Sequence, residues 1–251
     1  MFIIGSVLFV FWSIVFAGSE CFIPGSTEVD LEVRKRSVAM VRGLFSVFLS
    51  GGFLLRNGLE FCVESSSEER VIVLFSLIFF SIESVICWLK GFWDKNLVIH
   101  HSCSLVALLL VFLAPFGAKY TVYGLLAADI SNFPMNLRGI IRAKGKRHTR
   151  LHEVMECSYM ALYMVFRGFL APYNIYSCLS CRKISVLLTL ISVFLTAQSW
   201  FFISKMLNIV KKKALEYEER RAKGVSLWWL EVNPAQRSLL YFNKIANHGI
   251  F

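Results

Sequence analysis

The sequence predicts an all-α polytopic membrane bundle of about seven transmembrane helices, with a luminal or outside N-terminus and a cytoplasmic C-terminus. Three observations predict it. Of the 251 residues, 56% are hydrophobic and only 18% charged, against about 45–50% and about 25% in a soluble domain. The apolar residues gather in stretches near the roughly 20 residues that a helix needs to cross a hydrocarbon core about 30 Å thick. The connections between these stretches alternate in charge. A disordered chain, a disulfide-stapled secreted mini-protein and an ordinary soluble enzyme are all excluded.

The spans fall near 2–18, 37–55, 71–89, 97–115, 118–136, 153–172 and 184–206. Backbone N–H and C=O groups cannot go unpaired in hydrocarbon, and the stretches are too long and unalternating for barrel strands, so helices are expected. The first span is either a retained helix or a signal peptide. Val15 and Ala17 suit a cleavage site, but no Lys or Arg precedes the apolar run. Cleavage would leave six spans with the most basic connection outside, so the retained helix is the expectation. Pro24 and Gly25 then mark a turn.

Charge sets the orientation. Arg34, Lys35 and Arg36 precede span 2. Arg138, Arg142, Lys144, Lys146, Arg147 and Arg150 follow span 5, and Lys211, Lys212 and Lys213 follow span 7. Glu60, Glu64, Glu68 and Glu69 lie between spans 2 and 3. The basic segments share one side by parity, and the positive-inside rule makes that side cytoplasmic. The net charge of +10 therefore faces anionic lipid, and no nucleic-acid partner is expected.

Residues 1–29 form an N-terminal helix and turn, 30–210 a six-helix membrane domain and 211–251 a cytoplasmic tail. Within the tail, 211–223 reads as a solvated juxtamembrane helix, and Trp228, Trp229 and Leu230 suit the membrane interface. Cys87, Cys103 and Cys157 are small apolar fillers. Cys62, Cys178 and Cys181 fall on the luminal side, where a disulfide can form. The isolated CxxC at 178–181 is weak ground for redox or zinc chemistry, and no cofactor or metal is expected.

The scarce charges inside the spans are the functional candidates, because an ionisable group at membrane depth is costly. Arg42, Glu83, the pair His100 and His101, and Asp129 come from four helices. Each lies about 5–10 Å from the cytoplasmic end of its span at 1.5 Å per residue, so they form one layer. Asp129, Asn132 and Asn136 share one face of span 5, where Pro134 predicts a kink. Glu153, Glu156, Met160, Tyr163 and Arg167 make one stripe along span 6. Arg167 either joins the interior or snorkels outward, and Glu83 either pairs with Arg42 or stands free.

Adjacent histidines on a helix diverge by about 100°, so they seldom share one metal. Only five His are present; His148, His152 and His248 belong to the basic loop or tail. A membrane di-iron centre is therefore not expected. A neutral imidazole beside a carboxylate suits a general base or nucleophile, with Asp129 orienting His101 as the third member of a triad. The alternative is that the layer binds a lipid head group.

Six ordered segments carry a resemblance. They are Arg36-Ser37-Val38-Ala39-Met40-Val41-Arg42; IFFSIESVICWL with Glu83; DKNLVIHHSCSL with His100 and His101; AADISNFPMNLRGI with Asp129, Ser131, Pro134 and Arg138; MVFRGFLAP with Arg167; and TAQSWFFISK with Gln198 and Trp200. From about 30 to 210 the chain resembles the TLC-domain family of membrane proteins, and is closer to its lipid-homeostasis members than to its ceramide synthases. Family members usually carry His where Arg42 stands, Asp where Glu83 stands and Asn at Gln198. The ceramide synthases also carry a His and a second Asp where this chain has Ala128 and Asn132.

The resemblance implies a protein of the endoplasmic reticulum or another endomembrane, with the plasma membrane as the alternative, that binds or handles lipid (sphingolipid, phospholipid or acyl-CoA) and influences membrane lipid composition. A sphingoid-base N-acyltransferase using His100, His101 and Asp129, and a trafficking adaptor acting through its tail, are the two alternatives. Oligomeric state has no signature in the sequence.

Overall fold

The computed structural model of the chain describes residues 1–91 and 95–235. His248, Asp94 and the tail beyond 235 lie outside the described residues. Among those described, the protein is an all-α bundle whose one extended pairing is an isolated bridge between Glu64 and Phe116. Five helical segments are long and apolar enough to cross a bilayer: 2–22, 28–57, 67–89, 150–180 and 186–222. Val98–Leu113 is a shorter apolar helix.

Helix α1 (Phe2–Phe22) presents Phe2, Ile3, Val7, Phe9, Val10 and Ile14 outward, as a lipid-facing surface requires. Trp12 holds it to α3 (Ser67–Leu89). The indole is fully enclosed, packs on the Phe75 and Phe79 rings at 5.0 and 4.8 Å, and donates Nε1–H to the Phe75 carbonyl at 3.3 Å. This satisfies the tryptophan's one polar atom where water is absent.

Helix α2 (Glu28–Asn57) starts nine residues before the predicted span, because Thr27 and Asp30 form a reciprocal capping box there. Ser66 and Glu69 start α3 in the same way. Helix α4 (Lys95–Leu113) follows.

The kinked helix predicted over 118–136 is in fact two helices, α5 (Ala118–Asp129) and α6 (Asn132–Ala143). Pro134 lacks the N–H that would reach the Ile130 carbonyl, and its ring crowds that carbonyl, so the chain breaks at Ile130–Ser131. Pro134 then occupies the first turn of α6, where a missing donor costs nothing. Arg138 and Arg142, expected in a loop, lie on α6 instead.

The sixth span also runs past its predicted end. It comprises α7 (Arg150–Val165), a π-turn at Phe166–Leu170 and α8 (Ala171–Ser180). Pro172 would interrupt an α-helix at the Gly168 carbonyl. The preceding turn widens instead, and the Ala171 N–H bonds Phe166 O five residues back. Helix α9 (Val186–Ala222) continues unbroken through the segment read as a separate tail helix. After it, Arg150 N–H and Leu151 N–H bond the carbonyls of Trp228 and Trp229 at 2.8 and 3.3 Å, so residues 223–235 fold back onto the start of α7.

Helix α2 is the central packing element and lies against α5 and α6. Gly43 permits this approach: a Cβ there would stand 3.0 Å from Asn132 Cβ. Small residues serve this purpose where membrane helices meet closely. Gly43→Val is expected to cost about 1–3 kcal/mol through overpacking, read as a lower unfolding midpoint in mixed micelles.

The acidic α2–α3 connection and the α8–α9 connection meet at one end of the bundle. There Cys62 and Cys181, 119 residues apart in sequence, form a disulfide. Cys178 is buried and free.

Candidate functional site

The site is built where α2, α3, α4 and α5 face one another. Arg42 of α2 is 5% exposed and Asp129, the last residue of α5, 2%. Arg42 Nη1 donates to Asp129 Oδ1 at 2.7 Å, and Asn132 Nδ2 donates to the same oxygen at 2.7 Å. The guanidinium also lies 4.6 Å from the Phe80 ring centre and 5.4 Å from that of Phe79. A buried charge is tolerable when it is paired and hydrogen-bonded in this way.

On the other side of Phe80 is His101 of α4, ring to ring at 5.2 Å. Its Nε2 lies 3.6 Å from Glu83 Oε2 of α3, and both residues are buried. His100 turns away toward Gln198 of α9 and Arg167, its ring 5.9 Å from that of His101. The adjacent imidazoles thus have different partners, as their helical divergence requires.

Two expected pairings are corrected here. Arg42 pairs with Asp129, not with Glu83. Asp129 is held by Arg42 and Asn132, so the carboxylate beside His101 is that of Glu83.

Arg167 does not snorkel. Its Nη2 donates to the Ala128 carbonyl at 2.8 Å, and its guanidinium lies 4.8 Å from the Tyr163 ring centre. The α5–α6 break and the π-turn therefore complement each other: a carbonyl at the broken helix accepts an arginine from the widened one. Ser131 is fully buried, its Oγ 3.5 Å from the same carbonyl, and Asn136 Nδ2 bonds Asn132 O at 2.9 Å. Asp129 Oδ2, Arg42 Nε and Arg167 Nε are buried without a hydrogen-bond partner.

A second polar cluster lies between α6, α7 and α9. Glu156 accepts from Arg138 Nη1 at 3.0 Å on one oxygen and meets Lys213 Nζ at 3.1 Å on the other. Arg138 also lies 4.9 Å from the Tyr159 ring centre. His152, 1% exposed, has Nδ1 4.0 Å from Glu156, while Arg220 binds Glu153 at 2.6 Å. Sequence reasoning assigned His152 to the loop and Lys213 to the tail. His152 carried a signal, since it precedes Glu156 by four residues on one helical face. Lys213 carried none, because it arrives across space from α9. Outside the spans, burial and then the neighbouring Arg147 hold the His148 imidazole below its ordinary value.

Of the sequence candidates, the structure brings Arg42, Asp129, Asn132, Ser131 and Asn136 into one network and His101 with Glu83 into a second. His100 with Gln198, and Arg167 with Tyr163, border these. Arg138 and Glu156 stand apart in the second cluster. No group of three or more His, Cys, Asp or Glu among the described residues is placed to hold a metal ion.

Comparison with known proteins returns one family. The model described as the TLC domain matches residues 32–211, while no curated protein and no solved structure gives a significant match. The match spans well over half of the chain and covers every residue of the layer from Arg42 to Gln198, and with it the chain belongs to the TLC-domain family.

Proposed function

We propose that this multi-pass protein binds lipid at the Arg42–Asp129–His101 layer and thereby influences membrane lipid composition. The observation that carries the reading is the unpartnered buried polar set, Asp129 Oδ2, Arg42 Nε and Arg167 Nε, within a membrane bundle. A purely structural ion pair would be expected to satisfy its own atoms. The family resemblance supports a site in the endoplasmic reticulum or a related endomembrane.

The test is lipidomics of the protein purified in native lipid, wild type against His101→Ala and Asp129→Asn. A selectively enriched lipid class should fall by about tenfold or more in the variants, the factor that follows from losing one charge-assisted hydrogen bond. Unchanged lipid profiles would sink the reading.

One observation favours a second reading. The buried carboxylate beside His101 is the arrangement that orients an imidazole for acyl transfer, here with Glu83 in the orienting role. Incubation with acyl-CoA and a sphingoid base decides it. This reading requires amide product that disappears in His101→Ala and falls in Glu83→Gln.

A further inference from the structure

A cleft of about 310 Å³ opens between α1, α2 and α3, with Glu83 at its inner end. Each helix contributes one face. Phe16 and Glu20 of α1 are four residues apart, Arg34 and Val38 of α2 likewise, and Ile82, Ile86 and Lys90 of α3 follow the same step. Glu20 and Lys90 sit at the ends of α1 and α3, Arg34 and Lys35 about two turns into α2, and the apolar Phe16, Val38, Ile82 and Ile86 one or two turns deeper, with Glu83 among them. From Lys90 to Ile82 the cleft runs about 12 Å at 1.5 Å per residue.

The mouth is cationic. Arg34, Lys35 and Lys90 face one acidic residue, Glu20, which both Lys90 and Arg34 already engage. Arg34 is further held by the carbonyls of Ile23 (2.8 Å) and Gly25. Lys35 makes no ion pair within 4.0 Å among the described residues. It lines the cleft together with Glu83 and Cys87. Glu83 is buried at the inner end and presents a carboxylate oxygen to His101 rather than to Lys35.

We propose that this cleft binds the acidic head and upper chain of a single-chain amphiphile, with Lys35 as the residue that takes the head-group anion. The excess of cations at the mouth selects an anion over an amine. The apolar wall of Phe16, Val38, Ile82 and Ile86 takes the chain. A volume at the bottom of the range for ligand sites, about 300–1,000 Å³, holds one chain and not two. The anion is a carboxylate or a phosphate monoester, and the remaining chain leaves sideways past α1 into the bilayer. This inference rests on the lipid-binding reading and places a lipid of stated class in a cleft that meets the Arg42–Asp129–His101 layer at Glu83.

The test uses the full-length protein in nanodiscs of neutral lipid, with cis-parinaric acid as the fluorescent probe. Oleate, oleoyl lysophosphatidate, oleyl alcohol and oleylamine serve as competitors, and melting curves establish that each variant is folded. Saturable binding is expected, displaced by oleate or lysophosphatidate at least about tenfold better than by the alcohol or amine; the better of the two identifies the anion. Lys35→Glu should weaken binding about tenfold or more, and Ala17→Trp, which fills the cleft, should abolish it. Should Lys35→Glu not fold, Lys35→Gln and Ala17→Trp decide alone. Equal displacement by the neutral alcohol, or undiminished binding in both Lys35→Gln and Ala17→Trp, would overturn the proposal. Binding lost in His101→Ala but kept in Ala17→Trp would overturn it too, while supporting a lipid at the Asp129 layer.

Discussion

Truncating Arg42 to Ala will destabilise the bundle by about 3–5 kcal/mol, the cost of leaving one member of a buried ion pair uncompensated. Asp129 is 2% exposed, and its Oδ1 is satisfied by Arg42 and Asn132. Asn132 alone cannot neutralise it. The variant also loses the guanidinium's contacts with Phe79 and Phe80, worth about 0.5–2 kcal/mol. The measurement is the unfolding midpoint in mixed micelles, followed by circular dichroism. The double variant Arg42→Met with Asp129→Leu should recover most of the loss, since it removes both charges and keeps volume. Equal losses in the single and double variants would show that packing, not charge, holds α2 to α5.

Replacing Cys62 and Cys181 together by Ser will lower the same midpoint by an amount equivalent to about 2–4 kcal/mol. For a closed loop of this length, chain entropy in water gives about 4.7 kcal/mol. The effect in a bilayer is smaller, because inserted helices already restrict where the two ends can travel. The bond also reports sidedness. The sequence places both residues on the luminal face, and disulfides persist only in an oxidising compartment. In sealed vesicles of the protein's native membrane, lumen inside, a reductant that cannot cross the bilayer should leave the bond intact until the vesicles are opened. Reduction in sealed vesicles would invert the topology.

The separate helices were legible because span length and apolar content are local properties. Arg42, Glu83, His101 and Asp129 were legible as candidates for the same reason: a charge in an apolar run stands out wherever it is. Their partners were not legible. Whether Arg42 meets Glu83 or Asp129 depends on how α2 is rotated against α5, which Gly43 and the break before Pro134 settle together. Pro134 announced an interruption but not its form, and Pro172 was not read as one. Pro134 divides a helix, whereas Pro172 is absorbed by a π-turn and the helix continues to Ser180. The basic tail misled most, because Lys213 and Arg220 look solvated in sequence and are tied to Glu156 and Glu153 in the fold.

The shortness of α5 bears on how the chain is made. Its 12 residues extend about 18 Å, well short of the roughly 30 Å of the hydrocarbon core, and they end on a carboxylate. Such a segment is a poor substrate for insertion by itself. It is stabilised by Arg42, which is synthesised 87 residues earlier. During translation α2 therefore carries an unmatched cation while α3 and α4 are threaded, and the pair closes only when α5 emerges. Until then the nascent chain needs shelter from bulk lipid, so its dependence on membrane-insertion chaperones should be greatest between the synthesis of α2 and that of α5.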